Sequence, residues 1–353
     1  MFEPSTPPAT IRSIHSTTFV DLLSQAGVSI LVSTYQAGKL LMLRAGDGVL
    51  NTHLRDFETP MGLAYDGQER LAVGTRVQVW EFQNQANIAP HPQRGQEYSG
   101  SFLPRHMQVT GQIGIHDIAW AGQELWVVNT RFSCLCTLDP RFSFVPRWRP
   151  RFITALAPED RCHLNGLAVR DSMPWYVTAL GQTDSFAGWR DRKATGGCLI
   201  DIISGEMLAA DLSMPHSPRW HDGRLWMLES GRGSLSCVDP VTGRLQVVAL
   251  LPGFTRGLDF CGPFAFVGLS QVRQSALFSD LPITARLPVD QRACGVWVVD
   301  TRTGQIVAFV RFETGVQEIF AVQVVPGMRW LEAPPENPIK VAEAFLLPDE
   351  FVT

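Results

Sequence analysis

The sequence predicts an all-β chain that folds as one six-bladed β-propeller, and three observations support this prediction. A short phrase recurs six times, strand-like segments follow most copies at nearly constant offsets, and the strands that the last copy lacks occur near the N-terminus. Short β-branched and aromatic segments that repeat regularly between Gly-rich turns are typical of propeller blades.

The repeated phrase predicts the innermost strand of each blade. It runs from a variable first position, through small and apolar residues, to an aromatic or apolar side chain, as in MGLAY and RGLDF. We call these starting residues the first positions, and they are Met61, His116, Asn165, His216, Arg256 and Glu318.

A second and a third strand are expected after most copies of the phrase. The third segments include SCLCTLD and GVWVVD, and several end in Asp before a turn with Gly, which is a β-hairpin signal. The second segments begin at Leu71, Leu125, Trp175, Leu225 and Phe264.

The last blade is predicted to use both ends of the chain. Pro326 and a Pro-rich tail follow the sixth copy, so its remaining strands must come from residues 28–57, which pair with an inner strand at 318–325. This pairing closes the ring and removes an open sheet edge. The prediction is one domain over residues 1–353, with a core of about 21–330. The tails 1–20 and 331–353 are peripheral, and the inserts 84–113, 181–196 and 271–293 lie on a face.

Composition limits the class of protein. The net charge of -4 and the pI near 6.1 do not suggest a general nucleic-acid or anionic-membrane binder. The sequence has no apolar stretch of about 18 residues, so it predicts no membrane span. Seven scattered cysteines, an odd number, are expected to be reduced thiols of a cytoplasmic protein.

The first positions predict a polar ring at one mouth of the channel, because the innermost strand of a blade lines the channel. His163 lies two residues before Asn165 and is expected to share its face. Three imidazoles and a carboxylate suit Mn, Fe, Ni or Zn, whereas Asp117 and the other oxygen donors suit Ca²⁺ if the histidines point elsewhere. A polar site without metal, or a water-filled channel, is the alternative. The predicted metal ligands are His116, His163, His216, Glu318 and Asn165.

The turns after the second strands predict a rim that binds negative charge. Arginine forms bidentate pairs with carboxylate or phosphate, and a Trp can stack on a flat ligand. Alternatively, the rim arginines pair with local acids such as Asp184, Glu229 and Asp191. The predicted substrate-binding residues are Arg76, Arg131, Arg232, Arg273, Trp189, Arg190, Tyr35 and Gln36.

Several segments, among them ALGQTDSFAGWRDRKATGG and LSMPHSPRWHDGRLWMLESGRG, resemble an uncharacterised bacterial family of conserved hypothetical proteins over residues 10–330. The resemblance implies a propeller but no activity. In EIFAVQVVPGMRW, Phe320 and Ala321 stand where the family has Tyr-Asp. The chain is more distantly similar to gluconolactonase and strictosidine-synthase-like propellers. Those propellers bind a metal ion in the channel, and the similarity implies Glu318 and Asn165 as metal ligands in this chain. The histidines resemble the metal site of propeller lyases that act on uronates.

These observations lead to two functional hypotheses. The first is a metal-dependent lyase, epimerase, lactonase or hydrolase acting on an anionic, sugar-acid-like substrate, with Arg256, Glu318 and Asp117 as catalytic groups. The second is a non-enzymatic module that binds a peptide, a protein or a small acid on one face.

Overall fold

Six antiparallel sheets surround a central channel and form a six-bladed β-propeller, as predicted. The computed structural model describes residues 10–85, 99–271, 280–334 and 344–347. Each sheet has four strands in up-and-down order, and two sheets gain a fifth strand at the outer edge. The innermost strands of successive blades are neighbours all the way round the ring.

The chain begins with the outer part of the last blade. A short edge strand and a helix precede the three strands that blade six takes from this end of the chain. In order, these elements are β1 (Arg12–His15), α1 (Thr17–Ala26), β2 (Val28–Thr34), β3 (Lys39–Gly46) and β4 (Val49–Asp56).

Blades one to three follow, and each runs from the channel outwards. Blade one has β5 (Leu63–Tyr65), β6 (Arg70–Gly74), β7 (Gln78–Asn84) and β8 (Gly100–Val109). Blade two has β9 (Ile115–Ala121), β10 (Glu124–Asn129), β11 (Cys134–Asp139) and β12 (Phe142–Trp148). Blade three has β13 (Leu164–Arg170), β14 (Met173–Ala179), β15 (Gly197–Asp201) and β16 (Met207–Leu212), with a 3-10 helix, Gly188–Arg192, before β15.

Blades four to six complete the ring. Blade four has β17 (Pro215–His221), β18 (Arg224–Glu229), β19 (Ser234–Val238) and β20 (Leu245–Leu250). Blade five has β21 (Phe254–Cys261), β22 (Phe264–Ser270), β23 (Gly295–Asp300) and β24 (Gln305–Thr314). Helix α2 (Pro282–Arg286) and a 3-10 turn, Val289–Gln291, precede β23. The last strands are β25 (Ala321–Pro326) and β26 (Leu331–Glu332).

Blade six is built from both ends of the chain, as the sequence predicts. β25 pairs antiparallel with β2, from Ser33 opposite Ala321 to Val28 opposite Pro326. β3 and β4 then extend the sheet outwards. The inner strand begins three residues later than predicted, so Glu318 lies in the loop before β25.

The core consists of separate apolar layers between adjacent blades. Side chains alternate across each strand, so every sheet packs one face on each neighbour. Leu31 and Met42 of blade six, for example, pack against Leu71 and Phe82 of blade one. Equivalent buried clusters lie at the other five junctions.

Hydroxyl groups at the ends of second strands also join neighbouring blades. Ser33 Oγ donates to the carbonyl oxygen of Met61 at 2.5 Å, and Thr130 Oγ1 donates to that of Leu164 at 2.6 Å. Ser230 and Ser270 make the corresponding bonds from blades four and five. These bonds fix the innermost strands at the mouth where the first positions lie.

The described parts of the tails pack outside the ring. β1 adds a fifth strand to blade five beside β24, and β26 pairs in parallel with β8 of blade one. α1, which the repeat pattern does not predict, packs Phe19, Val20 and Leu23 into the layer between blades five and six. The predicted insert 84–113 contains β8, so part of it is the fourth strand of blade one rather than a surface loop.

Candidate functional site

A cavity of about 350 Å³ opens at the channel mouth where the innermost strands begin. We call it the mouth cavity. First positions from five blades line it, together with apolar, amide and hydroxyl side chains from the surrounding loops. The lining residues include Tyr35, Gln36, Met61, Arg76, His116, His163, Leu180, Trp189, Met214, His216, Phe254, Arg256, Glu318 and Phe320.

The chain turns into the mouth in the same way in four blades. Two residues before the first position, the backbone is left-handed, with φ of 49° at Thr59, 70° at Gly114, 51° at His163 and 51° at Met214. All four residues line the cavity. This repeated turn places His163 at the mouth and directs the carbonyl groups of Gly114 and Met214 towards the next residues of the wall.

The ring of His116 is fixed by two acceptors. Its Nδ1 lies 2.7 Å from Thr130 Oγ1 and 3.3 Å from the carbonyl oxygen of Gly114. The single hydroxyl proton of Thr130 is donated to Leu164, so the imidazole must donate its own Nδ1 proton to Thr130. Nε2 therefore carries a lone pair.

His216 repeats this arrangement two blades further on. Its Nδ1 lies 2.9 Å from the carbonyl oxygen of Met214 and 2.9 Å from Ser230 Oγ. Ser230 donates its hydroxyl proton to the carbonyl oxygen of Thr255, so Nδ1 of His216 must again be the donor. The sequence separation between the histidine and its hydroxyl partner is 14 residues in both blades.

His163 is held by a carboxylate instead. Its Nδ1 lies 2.9 and 3.0 Å from the two carboxylate oxygens of Asp160. The indole Nε1 of Trp189 donates to the same carboxylate at 3.0 Å, and the Trp189 ring lies 4.3 Å from the His163 ring. Asp160 therefore fixes both the orientation and the tautomer of His163.

The three histidines thus form one wall with a common chemistry. The His116 and His163 ring centroids are 4.6 Å apart. Burial, followed by the nearby His163, lowers the pKa of His116, and burial, followed by Arg256, lowers the pKa of His216. His116 and His216 are therefore neutral at neutral pH. His116 and His216 thus keep a proton on Nδ1 and carry a lone pair on Nε2, which can accept a hydrogen bond.

Arg256 supplies positive charge beside this wall. Its guanidinium carbon lies 3.5 Å from the centroid of the Phe320 ring, which also stacks on Tyr35 at 5.7 Å. Nη1 lies 3.4 Å from Oε1 of Glu318. Burial lowers the pKa of Arg256 to about 10, so the side chain remains protonated at neutral pH.

The predicted metal ligands are only partly brought together. His116, His163, His216 and Glu318 line the mouth cavity, but Asn165 does not. Its Oδ1 accepts a hydrogen bond from Thr178 Oγ1 between two strands of blade three. Over the described ranges, no group of three or more His, Cys, Asp or Glu side chains is arranged to hold a metal ion.

Asp117, expected as a catalytic group, belongs to a polar network deeper in the channel. Its carboxylate pairs with Arg219 at 2.8 Å and accepts backbone N–H bonds from Ile118 and Leu167. Asp117 does not line the mouth cavity, and these partners engage both of its carboxylate oxygens.

This network, which we call the channel network, continues around the ring. Asp259 accepts hydrogen bonds from Gln323 Nε2 at 2.5 Å and from the backbone N–H of Val324 at 2.7 Å. Gln323 Oε1 in turn accepts from the backbone N–H of Tyr65 at 3.2 Å. The Asp117 group therefore links blades two, three and four, and the Asp259 group links blades five, six and one.

The predicted rim residues separate into two groups. Tyr35, Gln36, Arg76 and Trp189 line the cavity, although Trp189 is buried in its wall. Exposed Arg131 donates to the carbonyl oxygen of Gln112, Arg232 pairs with Glu229, and Arg190 lies over the Trp189 ring. These three do not line the cavity. Arg273 lies outside the described residues.

Two of the predicted inserts support the cavity wall, which Trp189 of insert 181–196 lines directly. Trp189 and Leu180 pack with Met214, Phe254, Leu281 and Ile283 in a cluster that joins insert 181–196 to the described part of 271–293. The backbone N–H of Ile283 donates to the carbonyl oxygen of Gly231 at 2.8 Å, which ties the second insert to blade four.

Three residues of the site were not predicted from the sequence: Asp160, Thr130 and Ser230. Two signals could have found them. Asp160 stands three residues before His163 in DRCH, a spacing that allows an Asp to contact a His across a turn. Thr130 and Ser230 each stand 14 residues after a first-position histidine, where the second strand returns to the mouth.

The fold and the cavity define a class of protein: a six-bladed β-propeller with a small-molecule-sized cavity at one mouth of its channel, where a few polar groups converge on a largely apolar lining. Within that class, the chain belongs to the family described as Domain of unknown function (DUF4915), whose model matches residues 17–333. No curated protein matches the chain. None of the described helices is long and apolar enough to span a membrane.

Two solved structures are similar to the chain. One is from a nidogen/laminin complex, with 11% identity, a TM-score of 0.51, and coverage of 85% of this chain and 99% of that chain. The other is a protein of unknown function from Bacteroides caccae, with 9% identity, a TM-score of 0.52, and coverage of 84% and 98%. At these identities the similarity shows the fold alone.

Proposed function

We propose that this protein is an enzyme that acts on a small anionic molecule in the mouth cavity. The observation that carries the proposal is the largely buried guanidinium of Arg256. Among the described residues, its one hydrogen bond is the long contact with Glu318 at 3.4 Å. Buried charges are normally paired and well hydrogen-bonded. The spare N–H donors are suited to the oxygens of a ligand carboxylate or phosphate.

His163 is the residue that we assign to proton transfer. Asp160 holds its Nδ1 proton, so Nε2 faces the cavity as a base, and an adjacent carboxylate stabilises the imidazolium that forms. A base beside a bound carboxylate favours lyase or epimerase chemistry, because both begin with removal of a proton from a carbon next to the carboxylate. Lactone or ester hydrolysis would use the same base on water.

Proton transfer can be tested without knowing the product. We would incubate the full chain in D₂O with a panel of small carboxylates, phosphate esters and lactones and follow each by ¹H NMR. We expect C–H exchange or turnover with at least one anion. His163→Gln and Asp160→Asn should each slow it by about 10²-fold or more, and Arg256→Met should weaken binding of the anion.

The matched control is Arg131→Ala, because Arg131 is a surface arginine near the same mouth that does not line the cavity. Chemistry that persists in Arg256→Met and His163→Gln would contradict the proposal. Binding of an anion without any turnover would instead support the binding-module hypothesis.

A metal-dependent form of this enzyme is a second candidate, favoured by the tautomers of the three histidines. Histidine ligands usually donate the other ring N–H to a fixed acceptor. His116, His163 and His216 all do so, and neutral Nε2 is a suitable donor to Zn or a neighbouring first-row ion. As placed, the rings are not arranged to hold an ion, so binding requires them to move together. The ion would supply Lewis-acid chemistry.

Metal analysis separates the two candidates. Untagged protein dialysed against Mn, Fe, Ni or Zn should retain about one ion per chain if the three Nε2 atoms bind it. His116→Gln combined with His216→Gln should abolish that binding while circular dichroism remains unchanged. Retention below about 0.2 ion per chain, or equal retention in the double variant, would remove the metal-dependent form.

A further inference from the structure

We propose that the substrate is a small hydroxycarboxylate, a single negative charge on a short carbon chain that carries hydroxyl groups. The inference rests on the proposed function and narrows it to a ligand class. It follows from the charge of the cavity lining, the polarity of its hydrogen-bonding groups and its size.

The charge of the lining matches one negative charge on the ligand. Arg256 and Arg76 are the cationic side chains of the described lining, and Glu318 is its acidic side chain. Arg76 is exposed and already pairs with Glu58 at 3.4 Å, and His116 and His216 are neutral. The largely buried Arg256 is therefore the cation that gains most from a ligand, and its single charge favours a monoanion.

The histidine wall requires hydrogen-bond donors from the ligand. The neutral imidazoles of His116 and His216 carry lone pairs on Nε2, which repel carboxylate oxygens but accept O–H or N–H bonds. An ammonium group at this wall would need an acidic neighbour. Glu318 contacts the guanidinium of Arg256 at 3.4 Å, which offsets part of its charge. Asp160 lies behind His163, and its oxygens already accept from His163 and Trp189. Neutral hydroxyl groups fit this wall best.

The remaining lining fits a short carbon chain. Phe320, Phe254, Met61 and Met214 give the cavity apolar surface between its polar groups. A volume of about 350 Å³ is near the lower end for small-molecule sites, which span ~300–1,000 Å³. With its carboxylate at Arg256, a short ligand would keep its hydroxyl groups within the cavity and facing the imidazoles.

Matched ligands test each part of this inference on the unmodified chain. We would measure binding of glycerate, threonate and gluconate by isothermal titration calorimetry. Each would be compared with its deoxy acid (propionate, butyrate or hexanoate) and with its neutral polyol (glycerol, threitol or sorbitol). We expect at least one hydroxycarboxylate to bind at least ~10-fold more tightly than both counterparts, because it gains several hydrogen bonds. 6-Aminohexanoate tests the ammonium alternative.

Two variants test which side chain binds the carboxylate of the ligand and which binds its hydroxyl groups. Arg256→Met should remove the advantage of the hydroxycarboxylate over the polyol, and His216→Phe should remove most of its advantage over the deoxy acid. Because His216 is buried, His216→Phe is interpreted only if its melting temperature matches that of the wild type. The comparison of ligands on the wild-type protein decides the question without it.

The outcomes separate this inference from the proposed function. If deoxy acids bind as tightly as hydroxy acids and Arg256→Met abolishes both, the anion site stands and the hydroxycarboxylate class is wrong. Tighter binding of 6-aminohexanoate than of every hydroxy acid also overturns the class. If no carboxylate or phosphate ester binds or turns over, the proposed function fails as well.

Discussion

The mouth cavity and the channel network both contain polar groups and lie along the same innermost strands. They differ in how far those groups are hydrogen-bonded within the protein. In the channel network, Asp117 meets Arg219 and two backbone N–H groups, so its hydrogen-bonding capacity is used within the protein. In the mouth cavity, Arg256 keeps spare donors and the neutral imidazoles of His116 and His216 keep spare acceptors. Fully paired buried groups stabilise a fold, whereas buried groups with unused capacity indicate a ligand site.

Removing Asp117 should give the largest effect on stability. Asp117→Ala leaves Arg219 largely buried without its carboxylate, and we expect the free energy of unfolding in urea to fall by about 3–5 kcal/mol. The double variant Asp117→Ala/Arg219→Met should recover part of the loss, because no charge is then left unpaired. An unchanged unfolding midpoint together with lost ligand binding would instead make Asp117 a functional residue.

Acid should weaken the fold through the histidine wall. The folded-state pKa values of His116 and His216 lie below about 6.5, the value of an unfolded histidine, because both rings are buried. Below about pH 6.5 the unfolded chain therefore binds more protons than the folded chain, and the free energy of unfolding falls. Above about pH 7 this contribution to stability is fully present. In chelator-treated protein, we expect the free energy of unfolding to fall with a slope that approaches about 1.4 kcal/mol per pH unit for each ring.

Urea unfolding at pH 7.5, 6.5 and 5.5 measures this slope. The variant His116→Gln/His216→Gln should have a shallower dependence, and His15→Gln, at an exposed position, should retain the wild-type slope. Equal slopes in all three proteins would show that the histidine wall does not contribute.

The hydroxyl partners of the histidines should have an intermediate effect. Thr130→Val removes the bond to Leu164 and the acceptor for His116 Nδ1, and should lower the free energy of unfolding by about 2 kcal/mol. Thr130→Ser retains both bonds and should remain within about 1 kcal/mol of the wild type. Thr130→Val retains the side-chain shape but loses the hydroxyl, whereas Thr130→Ser retains the hydroxyl but loses the methyl group. A loss in Thr130→Ser as large as in Thr130→Val, measured by urea unfolding, would contradict the assignment of the effect to the hydroxyl bonds.

Surface arginines should have the smallest effect. Arg131→Ala and Arg232→Ala lie near the mouth but do not line the cavity, and we expect each to change carboxylate affinity by less than about 2-fold. Arg256→Met should weaken it by about 30-fold or more in the same calorimetric titration. A large loss in Arg131→Ala would show that the ligand extends beyond the cavity.

The repeat predicted the architecture, including the origin of blade six, because each blade needs the same alternation of apolar residues to cover its neighbours. It also identified His116, His216 and Arg256, since equivalent positions of equivalent strands meet at one mouth. β1, α1 and β26 were not predicted, because they add to the edges of blades and leave no repeated pattern.

The site was less predictable where local backbone geometry decides the direction of a side chain. Alternation along a strand was expected to place His163 and Asn165 on one face, but His163 is left-handed and precedes β13, so it lines the cavity while Asn165 does not. The rim arginines were separated by local contacts: Arg232 pairs with Glu229 three residues away, and Arg190 lies over the adjacent Trp189. The sequence offered both a ligand and a local acid as partners of these arginines, and spacing alone did not decide between them.

The closure of blade six has a consequence for how the molecule is made. β2 cannot pair with β25 until about 290 intervening residues have been synthesised. This takes roughly 15–60 s at ~5–20 residues per second. Throughout that time, the edge of an apolar N-terminal sheet is available to other nascent chains. Biogenesis therefore depends on keeping this sheet unpaired on the ribosome until the last inner strand emerges.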